Sequence, residues 1–367
     1  MATKKTGISR DLIIHPGETI ADLLDARNIT QVDLANRTGV TPAFVSSVIT
    51  GKKDISASFA MALEYVLGIP KSFWLNLQAR YDAELLEADE VFTIKEEEKE
   101  VRKRLKDIVK YLRKIGLMNV REDTESSILA LRKILQVSDL CNLKKISTVS
   151  AFRMGNAEHS DPFIIGAWIR LCQLNENKSA PVKIFEEINV AQLVDDLKKI
   201  MLNNRADLQK VIKDTLWQYG IDFEIMRNFK GAPVQGFIYR RTDGILKICM
   251  TIRGSFADIF WFSLLHEIGH IVNGDLNKTK SFIDDGTDKA KEDAANQFAG
   301  DHLIDNTQYY SFVVQHGRYY TKNAIDRFAQ EQGIPAYIVI GRLQKDKHIP
   351  YNSVFTKYKL RYKWIEE

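Results

Sequence analysis

Apolar positions recur at helical spacing along most of the chain and switch to strand spacing in one stretch. Ile20, Leu23 and Leu24 share one face of a helix that begins at His15-Pro16-Gly17-Glu18 and ends by Asn28. Thr30 is placed to cap a second short helix, and Gly39 to supply the left-handed residue after it. Thr41-Pro42 opens a third helix, with Thr as cap and Pro at the first helical position. Ser56 opens a fourth with Phe59, Leu63, Val66 and Leu67 inward, and Ser72-Phe73-Trp74 a fifth. The charge run 95–106 then leads into an apolar stripe of Leu105, Ile108, Val109 and Leu112, which Gly116 ends. Residues 124–135, 162–174, 184–201 and 206–219 read as helices, with Trp168 and Trp217 as core anchors. From Gly220 the period becomes two. Residues 221–226, 234–239 and 245–250 read as antiparallel strands, with Asp243-Gly244 as a two-residue hairpin turn. Helices return at 258–273, 289–303, 321–332 and 336–346, and the aromatic, basic tail 351–367 reads as a strand packed on the sheet. The pattern predicts a mainly α protein with a small antiparallel sheet, class α+β. It divides into a five-helix bundle over 1–82, a helical linker over 83–150 and a C-terminal domain over 151–367.

Composition narrows the class of function. With 45% hydrophobic and 27% charged residues the chain reads as globular. A net charge of +4 is too mild to argue for nucleic acid without local clustering. Cys141, Cys172 and Cys249 lie far apart, which suits a reducing cytosol and excludes a disulfide framework or a thiolate zinc site. Residues 1–10 form a short basic lead without an apolar signal region, and no apolar run approaches the ~20 residues that span a bilayer. A cytoplasmic protein without membrane partners is expected. His159, in a loop-like stretch, reads as a surface histidine.

The second and third short helices, joined at Gly39, have helix-turn-helix spacing, with small polar residues on the outer face of the third. Gln31, Thr41, Ala43, Phe44, Ser46 and Ser47 are the candidates facing DNA, and Lys52 and Lys53 the candidates for phosphate contact. Residues 1–60 hold seven Lys/Arg against six Asp/Glu, so affinity has to come from local placement and from dimerisation. His15-Pro-Gly-Glu18, Gln31-Val-Asp-Leu-Ala-Asn-Arg-Thr-Gly-Val40, Gly51-Lys-Lys-Asp-Ile-Ser56 and Leu67-Gly-Ile-Pro-Lys-Ser-Phe-Trp-Leu-Asn-Leu-Gln78 resemble the HigA-type antitoxins of the XRE/Cro helix-turn-helix regulators. The resemblance covers 12–82 and implies operator DNA binding as a homodimer, autoregulation and, in toxin–antitoxin members, neutralisation of a toxin protein.

A second signal lies in the helix 258–273, which carries His266-Glu267-Ile268-Gly269-His270. At i and i+4, His266 and His270 can direct two imidazoles at one metal, with Glu267 beside them to polarise a water. A catalytic zinc site needs a third protein ligand. On the helix 289–303, Glu292 is the leading candidate, with Asp293 and His302 as alternatives. Gly269, costly at mid-helix by about 1 kcal/mol, suggests close packing against a neighbour. His266-Glu-Ile-Gly-His270 with Glu292-Asp-Ala-Ala-Asn-Gln-Phe-Ala299 and Gly333-Ile-Pro-Ala-Tyr-Ile-Val-Ile-Gly-Arg-Leu-Gln344 is similar to the ImmA/IrrE family of metallo-endopeptidases. That resemblance, over about 220–348, implies a zincin-like domain in which His266, His270 and Glu292 bind zinc or another divalent metal and Glu267 is the general base. It also implies a repressor or other regulatory protein as substrate. Where family members continue the second motif helix with an apolar run ending in Pro, this chain has Gly300-Asp-His-Leu-Ile-Asp305, which touches the substrate side. His302 and Tyr309 are candidates for an oxyanion donor. Two readings follow: a DNA-binding regulator with a working zinc endopeptidase, or a HigA-type antitoxin or repressor whose zinc domain only binds or senses.

Overall fold

The computed structural model describes residues 12–89, 93–120, 123–149, 160–177, 179, 184–203, 207–252, 255–276, 281–282, 289–317 and 319–363. The basic lead, His159 and the end of the tail lie outside them. The chain forms two compact units, Met1–Lys99 and Glu100–Glu367.

The first unit contains α1 (Pro16–Ala26), α2 (Gln31–Thr38), α3 (Pro42–Ile49), α4 (Ala57–Leu67) and α5 (Lys71–Asp89). Its helix starts follow side-chain chemistry. Thr30, Thr41 and Ser56 each accept from the backbone N–H three residues on, at 3.1–3.2 Å. Gly39 and Gly68 take positive φ at the ends of α2 and α4. His15 caps α1 by accepting from Gly17 N–H through Nδ1 at 2.9 Å. A Cβ on Gly17 would overlap the Val48 carbonyl, so glycine there lets α1 close on the end of α3. Ile20, Leu34, Val45, Val48, Leu63 and Trp74 form the fully buried centre.

The charge run becomes α6 (Glu96–Arg104), followed after Leu105 by α7 (Lys106–Lys114). The second unit continues with α8 (Thr124–Leu135), α9 (Leu143–Val149), α10 (Pro162–Leu174), α11 (Val190–Leu202) and α12 (Leu208–Gln218). Trp168 on α10 is fully buried, whereas Trp217 on α12 is only half-buried. Then come β1 (Ile221–Met226), β2 (Gly236–Arg240) and β3 (Leu246–Thr251), α13 (Ala257–Val272), β4 (Ser281–Phe282), α14 (Lys289–Leu303), α15 (Asn306–His316), α16 (Lys322–Glu331) and α17 (Ala336–Lys345).

The mainly α architecture with a small sheet agrees with the sequence pattern, but the sheet is mixed rather than purely antiparallel. Its order is β1-β3-β2-β4. β2 pairs antiparallel with β3 and with β4, while β1 pairs parallel with β3. Consecutive strands alternate in direction, so inserting β3 between β1 and β2 sets it parallel to β1. The β2–β3 turn also differs from a two-residue hairpin. Arg241 N–H donates to the Ile245 carbonyl at 2.8 Å, which closes a three-residue loop with Gly244 at φ 88°. The tail forms no sheet strand among the described residues. Residues 354–358 make a 3-10 turn, and Arg361 makes one isolated bridge with Phe256.

β3 is buried along its whole length, as a central strand covered on both faces should be. Lys247 within it is fully buried and is held by Asp222 Oδ1 and the Asn175 carbonyl, each at 3.0 Å. Arg241 binds the other oxygen of Asp222 at 2.8 Å, so the buried charges are paired.

Candidate metal centre and nucleic-acid interface

α13 is apolar almost all round and correspondingly buried. Besides Asp258 and Ser263 nearer its start, its buried polar residues are His266, Glu267 and His270, with 0%, 3% and 1% exposure. α14 runs against it. At the seam a Cβ on Gly269 would lie 3.1–3.2 Å from Phe298 and Ala295, so a glycine and a buried alanine set the spacing of the two helices.

That spacing brings Glu292 to the histidines. Its carboxylate oxygens lie 3.3 Å from His266 Nε2 and 3.0 Å from His270 Nε2, and the two Nε2 atoms are 2.9 Å apart. Two ligands at ~2.05 Å from a tetrahedral zinc sit about 3.3 Å from each other, so the three donors are already near the spacing of a ligand set. Asp293 is exposed and is not part of the group that His266, His270 and Glu292 form. His302 is ten residues beyond Glu292, about 15 Å along the helix axis, stacked on Phe298 with Nδ1 against the Phe298 carbonyl at 2.8 Å. Tyr309 is fully buried beneath the Arg342 guanidinium. Neither is brought to the histidine pair, because one is held by its own helix and the other by the core.

The remaining ring nitrogens explain why this group suits a cation. His270 Nδ1 lies 2.8 Å from Asp275 Oδ2, and His266 Nδ1 lies 3.1 Å from Asn296 Oδ1. Both partners are acceptors, so each Nδ1 carries its hydrogen and each Nε2 presents a lone pair. Two lone pairs 2.9 Å apart beside a carboxylate call for a shared cation. Without one, protons take that place. Burial lowers the His270 pKa, but Glu292, Glu267 and Asp275 outweigh it and leave it raised. Burial likewise opposes ionisation of Glu292, and its bonds to His266 and His270 hold it well below the usual carboxylate range. His266, His270 and Glu292 form the one group of this kind among the described residues. Asp275 and Asn296 did not stand out in the sequence; an acid just past the end of the histidine helix and an amide one turn after Glu292 were the available signals.

Glu267 packs against the first residue of β2. A Cβ on Gly236 would overlap its Oε1, so this strand start must be glycine for the carboxylate to lie where it does.

In the first unit, Gln31, Thr41, Ala43, Ser46, Lys52 and Lys53 are exposed around α2 and α3. Thr41 is also committed to its cap, and Ser47 Oγ donates to the Ala43 carbonyl at 2.7 Å. Phe44 is half-buried, edge-on to Phe59 at 5.1 Å with Lys53 over its ring at 5.2 Å. It lies beneath the candidate interface, leaving Gln31, Ala43, Ser46 and the two lysines most open.

Comparison with known proteins matches two family models. A helix-turn-helix model covers residues 20–74, and an IrrE N-terminal-like domain model of the M78 peptidases covers 259–344. Virulence-associated protein A' of Dichelobacter nodosus is 41% identical over 69 residues, spanning 18% of this chain and 60% of that protein. The HTH-type transcriptional regulator YddM of Escherichia coli K12 is 33% identical over 64 residues, spanning 17% of this chain and 68% of that protein. Among solved structures, the Pseudomonas aeruginosa antitoxin HigA with higBA promoter is 28% identical. It covers 23% of this chain and 97% of that one, with a TM-score of 0.21. The chain therefore belongs to the XRE-type helix-turn-helix family of DNA-binding regulators and carries, towards its C-terminus, a domain of the IrrE-like M78 metallopeptidase family.

Proposed function

We propose that this protein is a cytoplasmic transcriptional regulator that binds operator DNA as a homodimer and cleaves a repressor or toxin partner with a zinc-dependent endopeptidase site. The observation that carries the enzymatic half is the convergence of His266 Nε2, His270 Nε2 and a Glu292 carboxylate, with Glu267 buried beside them. A purely structural site closes with four protein ligands, whereas three leave a position open.

His266, His270 and Glu292 would hold the zinc. Bound there, zinc would supply Lewis acidity that lets water act as a nucleophile near neutral pH. Asp275 and Asn296 keep the ring hydrogens on Nδ1 and aim Nε2. Glu267 accepts the proton as water attacks a peptide carbonyl and passes it to the departing amine. In the first unit, Lys52 and Lys53 contact phosphates, and Gln31, Ala43 and Ser46 face base edges.

Glu267→Gln tests the enzymatic half. The variant should keep one zinc per chain and lose cleavage of its partner by at least ~100-fold, the lower range for a general base. Full biological activity in Glu267→Gln, with the three ligands still required, would instead support an antitoxin or repressor whose zinc domain senses.

A further inference from the structure

The α13 face that carries His266 and Glu267 continues toward the helix N-terminus through Phe262, Ser263 and Ile259, at spacings of three and four. Along that stretch a cavity of about 270 Å³ opens between α13, Leu303 of α14 and Ile338 of α17. Gln235, adjacent to the Gly236 on which Glu267 packs, also lines it. Cavity and candidate metal centre thus share one helix face and one strand end.

The walls are mostly apolar, but one is built around a buried carboxylate. Asp258, one turn before Phe262, is 9% exposed. Its Oδ2 is paired with Lys359 Nζ at 2.7 Å, and Lys359, itself buried, also donates to Gln344 Oε1 at 3.0 Å. Asp258 Oδ1 is buried, and the Asp258 and Ile259 N–H groups of the first helical turn reach the carboxylate only outside normal hydrogen-bond geometry. Gly341 of α17 makes the arrangement possible, since a Cβ there would overlap Asp258 Oδ2. A poorly met buried acceptor is costly, and this one sits beside space that a better-placed donor can enter.

We propose that the cavity receives one large side chain of the substrate polypeptide, an aromatic ring with a terminal hydroxyl that donates to Asp258 Oδ1. This rests on the endopeptidase reading. The volume falls just short of the ~300–1,000 Å³ of pockets that enclose whole small ligands, so it suits a single side chain rather than a cofactor. Charge decides the tip. Lys359, Arg342 and Lys345 line the cavity against the one carboxylate of Asp258, which disfavours a lysine or arginine. An acidic side chain would bring its charge against Asp258 Oδ1. Phenylalanine fills the apolar walls and adds no donor for Oδ1, whereas tyrosine satisfies both. A site built to hydrogen-bond a hydroxyl rejects the analogue lacking it far more strongly than an apolar pocket discriminates by size.

The test uses the full-length, metal-stripped Glu267→Gln chain, which cannot cleave its probe. N-acetyl-tyrosinamide, N-acetyl-phenylalaninamide and N-acetyl-lysinamide are titrated and followed by saturation-transfer NMR. Tyrosinamide should bind at least tenfold more tightly than phenylalaninamide, and lysinamide more weakly than both. Ile259→Trp, at a lining position 37% exposed and so tolerant of change, should weaken tyrosinamide at least tenfold. No binding, equal binding of the two aromatic probes, or binding unchanged in Ile259→Trp overturns the proposal. Zinc-loaded wild type and a quenched peptide library separate the two claims. Cleavage without a tyrosine preference sinks the cavity assignment and leaves the endopeptidase standing. Tyrosinamide binding that Ile259→Trp abolishes, with no peptide cleaved, sinks the endopeptidase and makes the occupant a free hydroxyaryl molecule, which overturns the substrate assignment.

Discussion

Each histidine of α13 is held from behind, His270 by Asp275 at 2.8 Å and His266 by Asn296 at 3.1 Å. Asp275→Asn should therefore lower zinc affinity ~10- to 100-fold, the usual range for a partner that orients a ligand. Competition with a chelator measures this, and an unchanged affinity would remove Asp275 from the site. Glu267 depends instead on the absence of a side chain at Gly236. Gly236→Ala should keep zinc and lose cleavage, resembling Glu267→Gln. Equal loss of zinc would mean that the alanine displaces the ligands as well as the base. His15 supplies a prediction in the first unit. Burial lowers its pKa below 6.5, with Asp54, Glu18 and Asp82 opposing, and its Nδ1 must be unprotonated to accept from Gly17. Below about 6.5 the unfolded chain takes up this proton first, so stability rises with pH across that window. The contribution of neutral His15 is whole above the unfolded value and is lost as pH falls through the lowered folded one. Thermal melts of residues 1–99 between pH 8 and 5 should show a steeper acid loss for wild type than for His15→Asn, which can still cap. Parallel slopes would contradict the assignment.

At the scale of elements, the separation of α13 and α14 controls the site. Gly269→Ala gains about 1 kcal/mol of helix propensity. It also puts a methyl 3.1–3.2 Å from Phe298 and Ala295, and overpacking costs typically 1–3 kcal/mol. A lower melting temperature and weaker zinc binding are expected together; a more stable variant with unchanged zinc affinity would show that the seam yields. Much of this level was legible in the sequence, because helix starts and i, i+4 pairs are local. Thr30, Thr41 and Ser56 cap where their residue types predict, and Glu292 lies on the face implied by Ala295 and Ala299. What escaped was non-local or masked by composition. Nothing in β1, β2 or β3 alone states that β3 inserts between the other two. α15 hides behind Tyr309, Tyr310, Phe312, Val313 and Val314, which favour strands, and only its Asp305 cap betrays it. Buried Lys247 resembles a surface lysine until Asp222 comes into view.

At the scale of the whole molecule, the chain joins a helix-turn-helix unit to a metallopeptidase-family domain. The exposed Lys52 and Lys53 should give operator affinity that falls with salt, and replacing both with alanine should reduce the salt slope by about 2, near one unit per phosphate contact. Filter binding across salt concentrations checks this, and an unchanged slope would place the phosphate contacts elsewhere. The proposed coupling of a DNA reader to an endopeptidase would make a regulatory protein the expected substrate, and the site chemistry can be judged before that substrate is known. Zinc-loaded wild type and Glu267→Gln, matched for metal content, are incubated with a proteome-derived peptide mixture, and new N-termini are counted by mass spectrometry. New termini are expected with wild type and none above background with Glu267→Gln at the same one zinc per chain. New termini at equal rates from both proteins, or none from a fully zinc-loaded wild type, would contradict that expectation.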